Sequence, residues 1–321
     1  MILEVSNNSL STYRTCNKKW YWNYVEGLKP RQQVSALTLG STIHEAFDRH
    51  YKGQTQQDIM NWIDKSYKEQ IAKAPLEEQE QLYIDQKTCQ GMFSNFPFKV
   101  MTFEKIESEV EFRVRLCHGI YFRGRIDGKV QLAGRKWIRE LKTSGETGTM
   151  FENRAAVSGQ ATGYVWATIE ETGDDIVGVL YDYIRKPRLE KRVTEDMYRY
   201  AQRVYDDYCD LTKHKSYFRR YRTYRTPVDI AFWKQDTMQT AKHIRKCVHT
   251  GEFPRNTGSC FVFNRECAYK RICMEVKPDP MIIEMFYDKR ESVLDAQPKA
   301  QSKSAHVKYH REEERKWQKQ K

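Results

Sequence analysis

Apolar and polar residues alternate along two neighbouring stretches in the middle of the chain, from Ile106 to Leu116 and from Tyr121 to Leu132. Successive side chains of a strand point to opposite faces, so this alternation predicts two half-buried β-strands. The turn residues His118-Gly119 separate them, and Ala133-Gly134-Arg135 leads from the second strand into a third. We therefore expect three consecutive antiparallel strands.

Helical spacing of apolar residues follows the third strand. It predicts a helix from about Phe151 to Thr172, and a further strand from Ile176 to Arg185 comes next. A strand–helix–strand connection requires a crossover, which places the last strand parallel to its neighbour in the sheet. The predicted fold class is therefore α/β, with a mixed central sheet flanked by helices and further helices added at both ends.

The added helices lie on both sides of this central region. We expect them at 8–26, from Gly40 onwards to 51, at 55–73, 76–93, 194–213 and 229–249. The sequence thus predicts an N-terminal helical part (1–100), a core (101–190), a C-terminal helical part (191–278) and a basic tail (279–321). The tail has few aliphatic residues at its end, so we expect it to be disordered.

Composition adds a class of partner. The chain has 321 residues, a mean hydropathy of −0.82 and a net charge of +12. The segment from Ala296 to Lys321 holds eight Lys or Arg and three Glu, so the basic excess extends beyond it. A basic body favours a polyanionic partner, most commonly nucleic acid. Apolar runs of membrane-spanning length and a secretory signal pattern are both missing, which predicts a cytoplasmic protein without a membrane partner.

Two carboxylates and a lysine form the first candidate site. Glu140 and Lys142 are two residues apart on the third strand, so they point to one face, and the hairpin brings Asp127 near Glu140. Close carboxylates repel one another unless a cation lies between them, and Mg²⁺ prefers such oxygen ligands. The alternative is a pair of exposed charges on an edge strand, which a chain with 31% charged residues often contains.

A basic and aromatic segment from Lys213 to Arg225 is the second candidate. Aromatic rings can stack on bases while cations contact phosphates. The residues that we expect to contact DNA are Arg219, Arg220, Tyr221 and Arg222. The alternative is an amphipathic segment whose rings belong to the core and whose cations are solvated.

Eight cysteines form the third candidate. In a reducing compartment disulfides are not expected, so clustered thiols indicate metal or iron–sulfur ligation. Cys260, Cys267 and Cys273 lie within fourteen residues of one another. We expect the thiols of the other internal cysteines to be buried, and these are Cys89, Cys117, Cys209 and Cys247.

Taken in order, four short blocks resemble the PD-(D/E)XK nuclease superfamily, in its RecB-like, CRISPR-associated type of exonuclease branch. The blocks are Gly40-x-x-x-His44, Gly124-Arg-Ile-Asp127, Glu140-Leu-Lys142 and Gln160-x-x-x-Tyr164. The resemblance covers roughly residues 9 to 275, and it implies a restriction-endonuclease-like core.

This resemblance also implies roles for individual residues. The implied ligands of Mg²⁺ or Mn²⁺ are His44, Asp127, Glu140 and the backbone carbonyl of Leu141. The implied catalytic residues are Asp127, Glu140, Lys142, Gln160 and Tyr164. Lys142 would orient or help deprotonate the attacking water, and the metal would lower the pKa of that water. Gln160 and Tyr164, four residues apart on one helical face, would position the metal site or the DNA backbone.

The cysteines extend the resemblance. Members with an iron–sulfur cluster have one cysteine near the N-terminus and three together near the C-terminus, and Cys16 with Cys260, Cys267 and Cys273 has that layout. The resemblance implies a 4Fe-4S cluster that joins the two ends of the domain. A four-cysteine zinc site is the alternative, because zinc and iron–sulfur clusters both bind thiolates. Thiols without any metal are a third possibility.

Together these features predict a metal-dependent DNA exonuclease that acts on single strands or duplex ends. Helicase motifs are missing, so duplex unwinding would need a helicase or recombination partner. A competing interpretation is a catalytically silent nuclease-like protein that binds DNA or serves as a scaffold, with a zinc site. A nuclease directed at RNA is a third.

Overall fold

The structure is a computed structural model that describes residues 2–31, 35–146, 148–262, 265–275 and 277–292. The strands are β1 (Leu3–Val5), β2 (Leu28–Pro30), β3 (Lys105–Cys117), β4 (Ile120–Leu132), β5 (Arg135–Ser144), β6 (Ile176–Arg185), β7 (Phe218–Tyr224), β8 (Phe261–Val262), β9 (Arg265–Glu266) and β10 (Tyr287–Lys289). The α-helices are α1 (Asn7–Thr15), α2 (Asn17–Trp20), α3 (Ser35–Tyr51), α4 (Gln56–Lys73), α5 (Leu76–Ser94), α6 (Thr149–Ala156), α7 (Gly159–Thr172), α8 (Met197–Cys209), α9 (His214–Tyr217), α10 (Pro227–Thr250), α11 (Lys270–Cys273) and α12 (Pro280–Phe286).

A mixed six-stranded sheet forms the centre of the molecule. Strands β3, β4 and β5 are antiparallel, and a two-residue turn between Leu132 and Arg135 joins the last two, as predicted. Strand β6 runs parallel to β5 after the α6–α7 crossover, which confirms the predicted topology. β1 pairs with the first part of β4 and β7 pairs with β6, so the sheet draws strands from outside residues 101–190.

Helices cover both faces of this sheet. One core cluster joins it to α1, α7 and α10 through large side chains such as Trp20, Phe122 and Trp166. The other joins it to α3, α4, α5 and α8 through side chains such as Phe47 and Tyr208. The α/β class is therefore confirmed. Within the described ranges, every helix is too short or too polar to cross a bilayer.

The helix predicted over 8–26 is divided into three segments. Ser6 caps α1, because its hydroxyl accepts a hydrogen bond from the Ser9 amide, so the first helix begins at Asn7. Cys16 then adopts an extended conformation between α1 and α2, and a short π-helix ends at Val25. The α3 helix begins at Ser35, five residues before the predicted start at Gly40.

The last part of the chain differs from the predicted tail. Residues 279–292 do not continue a disordered segment, because α12 leads into β10, which pairs antiparallel with β2. Tyr287 is buried there beside Trp22, Leu28 and Tyr269, and this burial of apolar surface stabilises the pairing. The rest of the predicted tail, 293–321, lies outside the described residues.

Candidate active site

A cleft of about 680 Å³ opens where the central sheet divides. Along one of its two edges, strand β4 pairs first with β1, as far as Phe122, and then with β5, from Gly128 onwards. Between these points, residues 123–127 have no strand partner on that side among the described residues. The cleft is lined by this stretch of β4, by the start of α1 and by α3, α4 and α7.

Asp127 occupies the end of this unpaired stretch. Its Oδ2 accepts a hydrogen bond of 2.8 Å from the backbone amide of Leu141, and its Oδ1 lies 3.2 Å from Nδ1 of His44. Burial raises the pKa of Asp127, but His44 and the Leu141 amide outweigh this effect and hold it below the ordinary value. Burial lowers the pKa of His44, but the Asp127 carboxylate raises it by more, so the net change is an increase. Each group therefore favours the charged form of the other.

Glu140 and Lys142 share one face of β5, as the alternation predicts. Nζ of Lys142 lies 2.7 Å from Oε1 of Glu140. Glu140 is only 3% exposed, and in the described part of the molecule its Oε2 has no hydrogen-bond partner. Burial and the negative charge of Asp127 raise the pKa of Glu140 to about 7. A buried carboxylate oxygen without a partner is costly, which indicates that a further group completes the site.

Glu109 is a further carboxylate at the site, which the sequence offers as an additional acidic residue but which was not among the predicted ligands. It lies on β3 opposite Asp127, since Ser108 pairs with Gly128 and Val110 with Ile126. Its backbone has a φ of 52°, a left-handed conformation that is strained for a glutamate. A hairpin through His118-Gly119 would by itself place Val110 opposite Asp127. The register shift between Arg115 and Cys117 brings Glu109 there instead, and the sequence analysis did not predict that shift.

The donor set fits a divalent cation. His44, Glu109 and Asp127 each offer one ligand atom, and these three atoms all lie within 4.8 Å of one another. Carboxylates with one imidazole suit Mg²⁺ or Mn²⁺. Of the predicted ligands, His44 and Asp127 are thus close together, with Glu109 as an additional member. Glu140 is outside this group of three, and its role as a ligand stays a prediction.

Gln160 and Tyr164 lie on the cleft-facing side of α7. Nε2 of Gln160 donates a 2.9 Å hydrogen bond to the Tyr164 hydroxyl. The Tyr164 ring packs edge-on against Phe112, with centroids 5.7 Å apart. Burial raises the pKa of Tyr164, so the phenol stays neutral and can donate a hydrogen bond into the cleft.

The four cysteines of the predicted cluster line a second, small pocket. Cys16 reaches it from the break between α1 and α2, where the Asn256 amide donates a 3.4 Å hydrogen bond to its sulfur. The Asn256 and Ser259 side chains both donate to the Thr15 carbonyl, which fixes this break. The three C-terminal thiols, Cys260, Cys267 and Cys273, complete the lining.

The spacing of these thiols is relevant to the choice of metal. A tetrahedral zinc with Zn–S bonds near 2.3 Å holds its sulfurs roughly 3.8 Å apart. Among the described residues, the four sulfurs do not include three that lie within 4.8 Å of one another. Each thiolate of an iron–sulfur cluster binds a different iron and sits further from the others. The pocket nevertheless offers four thiols to either metal, and its lining does not by itself distinguish a zinc ion from a cluster.

The other cysteines lie elsewhere. Cys89 and Cys247 are buried, as predicted, and Cys117 is half-buried. Cys209 is exposed, because it ends α8 at the surface, and the prediction of a buried thiol was wrong there.

The basic and aromatic segment is largely structural. Most of it forms β7, where Arg220 donates a 2.7 Å hydrogen bond to Asp182 of β6. The Tyr221 ring packs against Phe151, with centroids 5.1 Å apart. Arg220 and Tyr221 thus have contacts within the protein, and both are partly buried, so their contact with DNA stays a prediction. Arg219 and Arg222 are exposed, and their DNA contact stays a prediction.

Comparisons with known proteins give one family and two distant structural likenesses. A family model for the PD-(D/E)XK nuclease superfamily matches residues 4–274. The chain is similar to a "putative exonuclease" from Eubacterium rectale, at 12% sequence identity and a TM-score of 0.48, over 79% of this chain and 84% of that chain. It is similar to SSO0001 at 17% identity and a TM-score of 0.23, over 57% of this chain and 88% of that chain. No curated protein is a significant match.

Proposed function

Because the chain belongs to the PD-(D/E)XK nuclease superfamily, we propose that it is a metal-dependent deoxyribonuclease that digests DNA from its ends. Family membership implies hydrolysis of phosphodiester bonds in a nucleic acid, while the metal, the choice of DNA and the exonuclease mode belong to the proposal. One observation carries it: the buried Glu140 carboxylate has an unpartnered oxygen beside Asp127 and an ammonium group. A protein that only binds DNA has no need of this costly arrangement.

The proposed metal ligands are His44, Asp127, Glu140 and the carbonyl of Leu141, and we add Glu109 to them. When bound there, Mg²⁺ or Mn²⁺ would lower the pKa of a water and offset phosphate charge. Burial lowers the pKa of Lys142, but Glu140 outweighs this and raises it above the ordinary value. Lys142 is therefore proposed to orient the water and stabilise developing negative charge as an ammonium, which has no lone pair with which to accept a proton from the water.

Gln160 and Tyr164 are proposed as positioning residues. The Gln160 amide fixes the direction of the Tyr164 hydroxyl. From the cleft wall, this hydroxyl can donate to a phosphate oxygen or to a metal-bound carboxylate. Any unwinding of duplex DNA is assigned to a partner, such as a helicase.

The four cysteines are proposed to bind a 4Fe-4S cluster that staples the ends of the nuclease domain. The proposal is supported by their shared pocket, which Cys16 enters from the N-terminal part of the chain and the other three from the C-terminal part. Tyr269, between Cys267 and Cys273, donates a 2.7 Å hydrogen bond to the Leu28 carbonyl of β2. The cluster would thus reinforce contacts that already join the two ends of the chain.

A digestion assay tests the proposed function. Purified protein is incubated with end-labelled linear DNA, with closed circular DNA and with RNA, in Mn²⁺ and in EDTA. We expect cleavage of linear DNA only, and only with metal. Cleavage of closed circles would overturn the exonuclease mode, and cleavage of RNA alone would overturn the choice of DNA. Binding to DNA without any cleavage would favour the silent binding protein.

The first prediction concerns metal binding and pH. Metal must displace the proton of Glu140, whose pKa is about 7, and also a proton of His44, whose pKa is raised. Affinity for Mn²⁺ is therefore expected to rise with pH. Below the pKa of a group whose proton the metal displaces, the rise is about tenfold per pH unit for each such proton. Calorimetry at about pH 6 and about pH 8, in buffers of different ionisation enthalpy, measures both affinity and proton release.

Glu140→Gln is the control for this titration. This variant has no proton to release at position 140. The pH dependence of its Mn²⁺ affinity should therefore come from His44 alone. Equal Mn²⁺ affinity of the unaltered protein at both pH values would contradict the prediction.

A second prediction concerns the cysteines. Anaerobically purified protein is expected to be brown, and Cys16→Ser should lose iron and have a lower Tm because one ligand of the cluster is missing. Cys209→Ser is the matched control, since this exposed thiol lies outside the pocket and its loss should leave iron content unchanged. Iron and zinc analysis with thermal melting measures both effects. A colourless protein with one zinc per chain would establish the four-cysteine zinc site instead.

A further inference from the structure

A row of three charged residues runs along β4 into the active site. Arg123, Arg125 and Asp127 alternate along the strand, so they share one face, and all three line the cleft. Alternate residues of a strand are roughly 6.8 Å apart, which is similar to the separation of neighbouring phosphates in a nucleic acid strand. The row therefore matches an extended backbone whose last phosphate reaches Asp127.

Both arginines can exchange their present partners for phosphates. Nε of Arg123 lies 3.1 Å from Glu4, and its side chain is 54% exposed. Nε of Arg125 lies 2.6 Å from Glu109, and its side chain is 65% exposed. Glu4 and Glu109 are only 17% and 16% exposed, but the guanidinium end of each pair is open to solvent, so a phosphate can bind it in place of the carboxylate. A phosphate on Arg125 would also release Glu109 for the cation site.

The opposite wall of the cleft carries an aromatic ring. Trp62, Ser66 and Gln70 are four residues apart on α4, so they form a row on one face, and all three line the cleft. The Arg49 guanidinium lies 4.3 Å from the centroid of the Trp62 ring and holds it in place. The rest of the indole borders the open space, where a base can stack on it.

We infer that this cleft takes one single strand of nucleic acid, with its phosphates on Arg123 and Arg125 and a base stacked on Trp62. The inference rests on the proposed nuclease function and deepens it by naming the form of the substrate. Base–aromatic stacking needs an exposed base face, and bases inside a duplex are already stacked on their neighbours. Asp127, whose side chain is 16% exposed, lines the cleft together with residues of α3, α4 and α7, and a single strand enters such a cleft more readily than a helix of two strands.

Binding without metal tests this inference. Fluorescence anisotropy of a labelled single-stranded oligonucleotide is measured in EDTA for the unaltered protein, Trp62→Phe and Trp62→Leu. Stacking on an aromatic ring contributes about 1–3 kcal/mol per base, so Trp62→Leu should weaken binding roughly 5- to 100-fold. Trp62→Phe keeps a ring and should retain most of the affinity. Leu and Phe both fill the partly buried space that the Trp62 side chain occupies. A difference in DNA affinity between these two variants therefore reports stacking and not folding.

Further measurements separate the electrostatic part and the controls. Arg123→Gln and Arg125→Gln should each reduce the slope of log affinity against log salt by about one. Phe232→Ala, an exposed aromatic residue on α10 outside the cleft lining, should bind like the unaltered protein.

Two outcomes would overturn the inference: duplex bound as tightly as single strand, or Trp62→Leu bound as tightly as Trp62→Phe. Because binding is measured in EDTA and repeated on the Glu140→Gln protein, it does not depend on cleavage. A protein that binds as expected but never cleaves would disprove the proposed activity and leave this inference standing.

Discussion

Glu140→Gln is expected to reduce the rate of metal-dependent cleavage by about a hundredfold to a thousandfold. This is the loss typical of removing one group that stabilises a transition state. The amide has nearly the same shape, so the fold should be kept. It has no negative charge, so it binds the cation weakly and leaves Lys142 without its anionic partner. Single-turnover cleavage of end-labelled DNA at saturating Mn²⁺ measures the effect.

The same substitution should stabilise the metal-free protein at high pH. The pKa of Glu140 is about 7 when folded, against 4.5 in the unfolded chain. Stability should therefore fall as pH rises through this interval, by up to about 3 kcal/mol, because the folded state must release a proton that it holds more tightly. Glu140→Gln avoids this loss, so its advantage in urea unfolding should be larger near pH 8 than near pH 5.

Glu111→Gln is the matched control for both measurements. Glu111 is an exposed carboxylate on the neighbouring strand β3, outside the cleft lining. Its replacement should change neither cleavage nor the pH dependence of stability. Undiminished cleavage by Glu140→Gln, with Glu111→Gln equally active, would rule out the proposed site.

Asp182→Ala is expected to destabilise the protein by about 3–5 kcal/mol. Asp182 is fully buried and accepts hydrogen bonds of 2.7 Å from both Arg139 and Arg220. Arg139 is 1% exposed, so removal of the carboxylate leaves its charge buried without an anion. The penalty for such an unpaired buried charge exceeds that of most single substitutions. Urea unfolding followed by circular dichroism measures it.

Asp288→Ala separates this effect from the loss of any ion pair. Asp288 lies 3.0 Å from Arg31, and both side chains are more than half exposed. The expected change is about 0–1 kcal/mol, because water solvates both charges when the pair is broken. If Asp182→Ala lowered the free energy of unfolding as little as Asp288→Ala does, the result would show that Arg139 can reach solvent or another partner.

The buried pair also bears on the active site. Arg139 precedes Glu140 on β5, and Asp182 is paired with Leu141 in the β5–β6 register. Their ion pair therefore fixes β5 to β6 on the face opposite the cleft, directly behind Glu140. This rigid support holds Glu140 in place although its charged form is disfavoured by burial.

Much of the central fold could be predicted because its signals are local. Alternation marked β3, a short turn set the β4–β5 hairpin, and an intervening helix required the parallel strand β6. The site residues Asp127, Glu140 and Lys142 followed from that hairpin and from strand periodicity. The contact between Gln160 and Tyr164 followed in the same way from helical spacing.

Other features depended on contacts between distant parts of the chain. Arg220 was predicted to contact DNA, and its hydrogen bond to Asp182, 38 residues away, was not predicted. The break at Cys16 arises from Asn256 and Ser259, more than two hundred residues later. Such pairings leave no local pattern, because each partner alone is compatible with an exposed position.

The sequence by itself determined the order of strands around the acidic hairpin and the four blocks that identify the superfamily. Only the tertiary structure decided that the sheet divides beside Asp127, that Glu109 lies close to His44 and Asp127, and that Trp62 lines the same cleft as the arginine row. The physical reason is that periodicity assigns a residue to a face of its own element. Which faces meet depends on how whole elements pack, and that is decided by the burial of apolar surface throughout the chain.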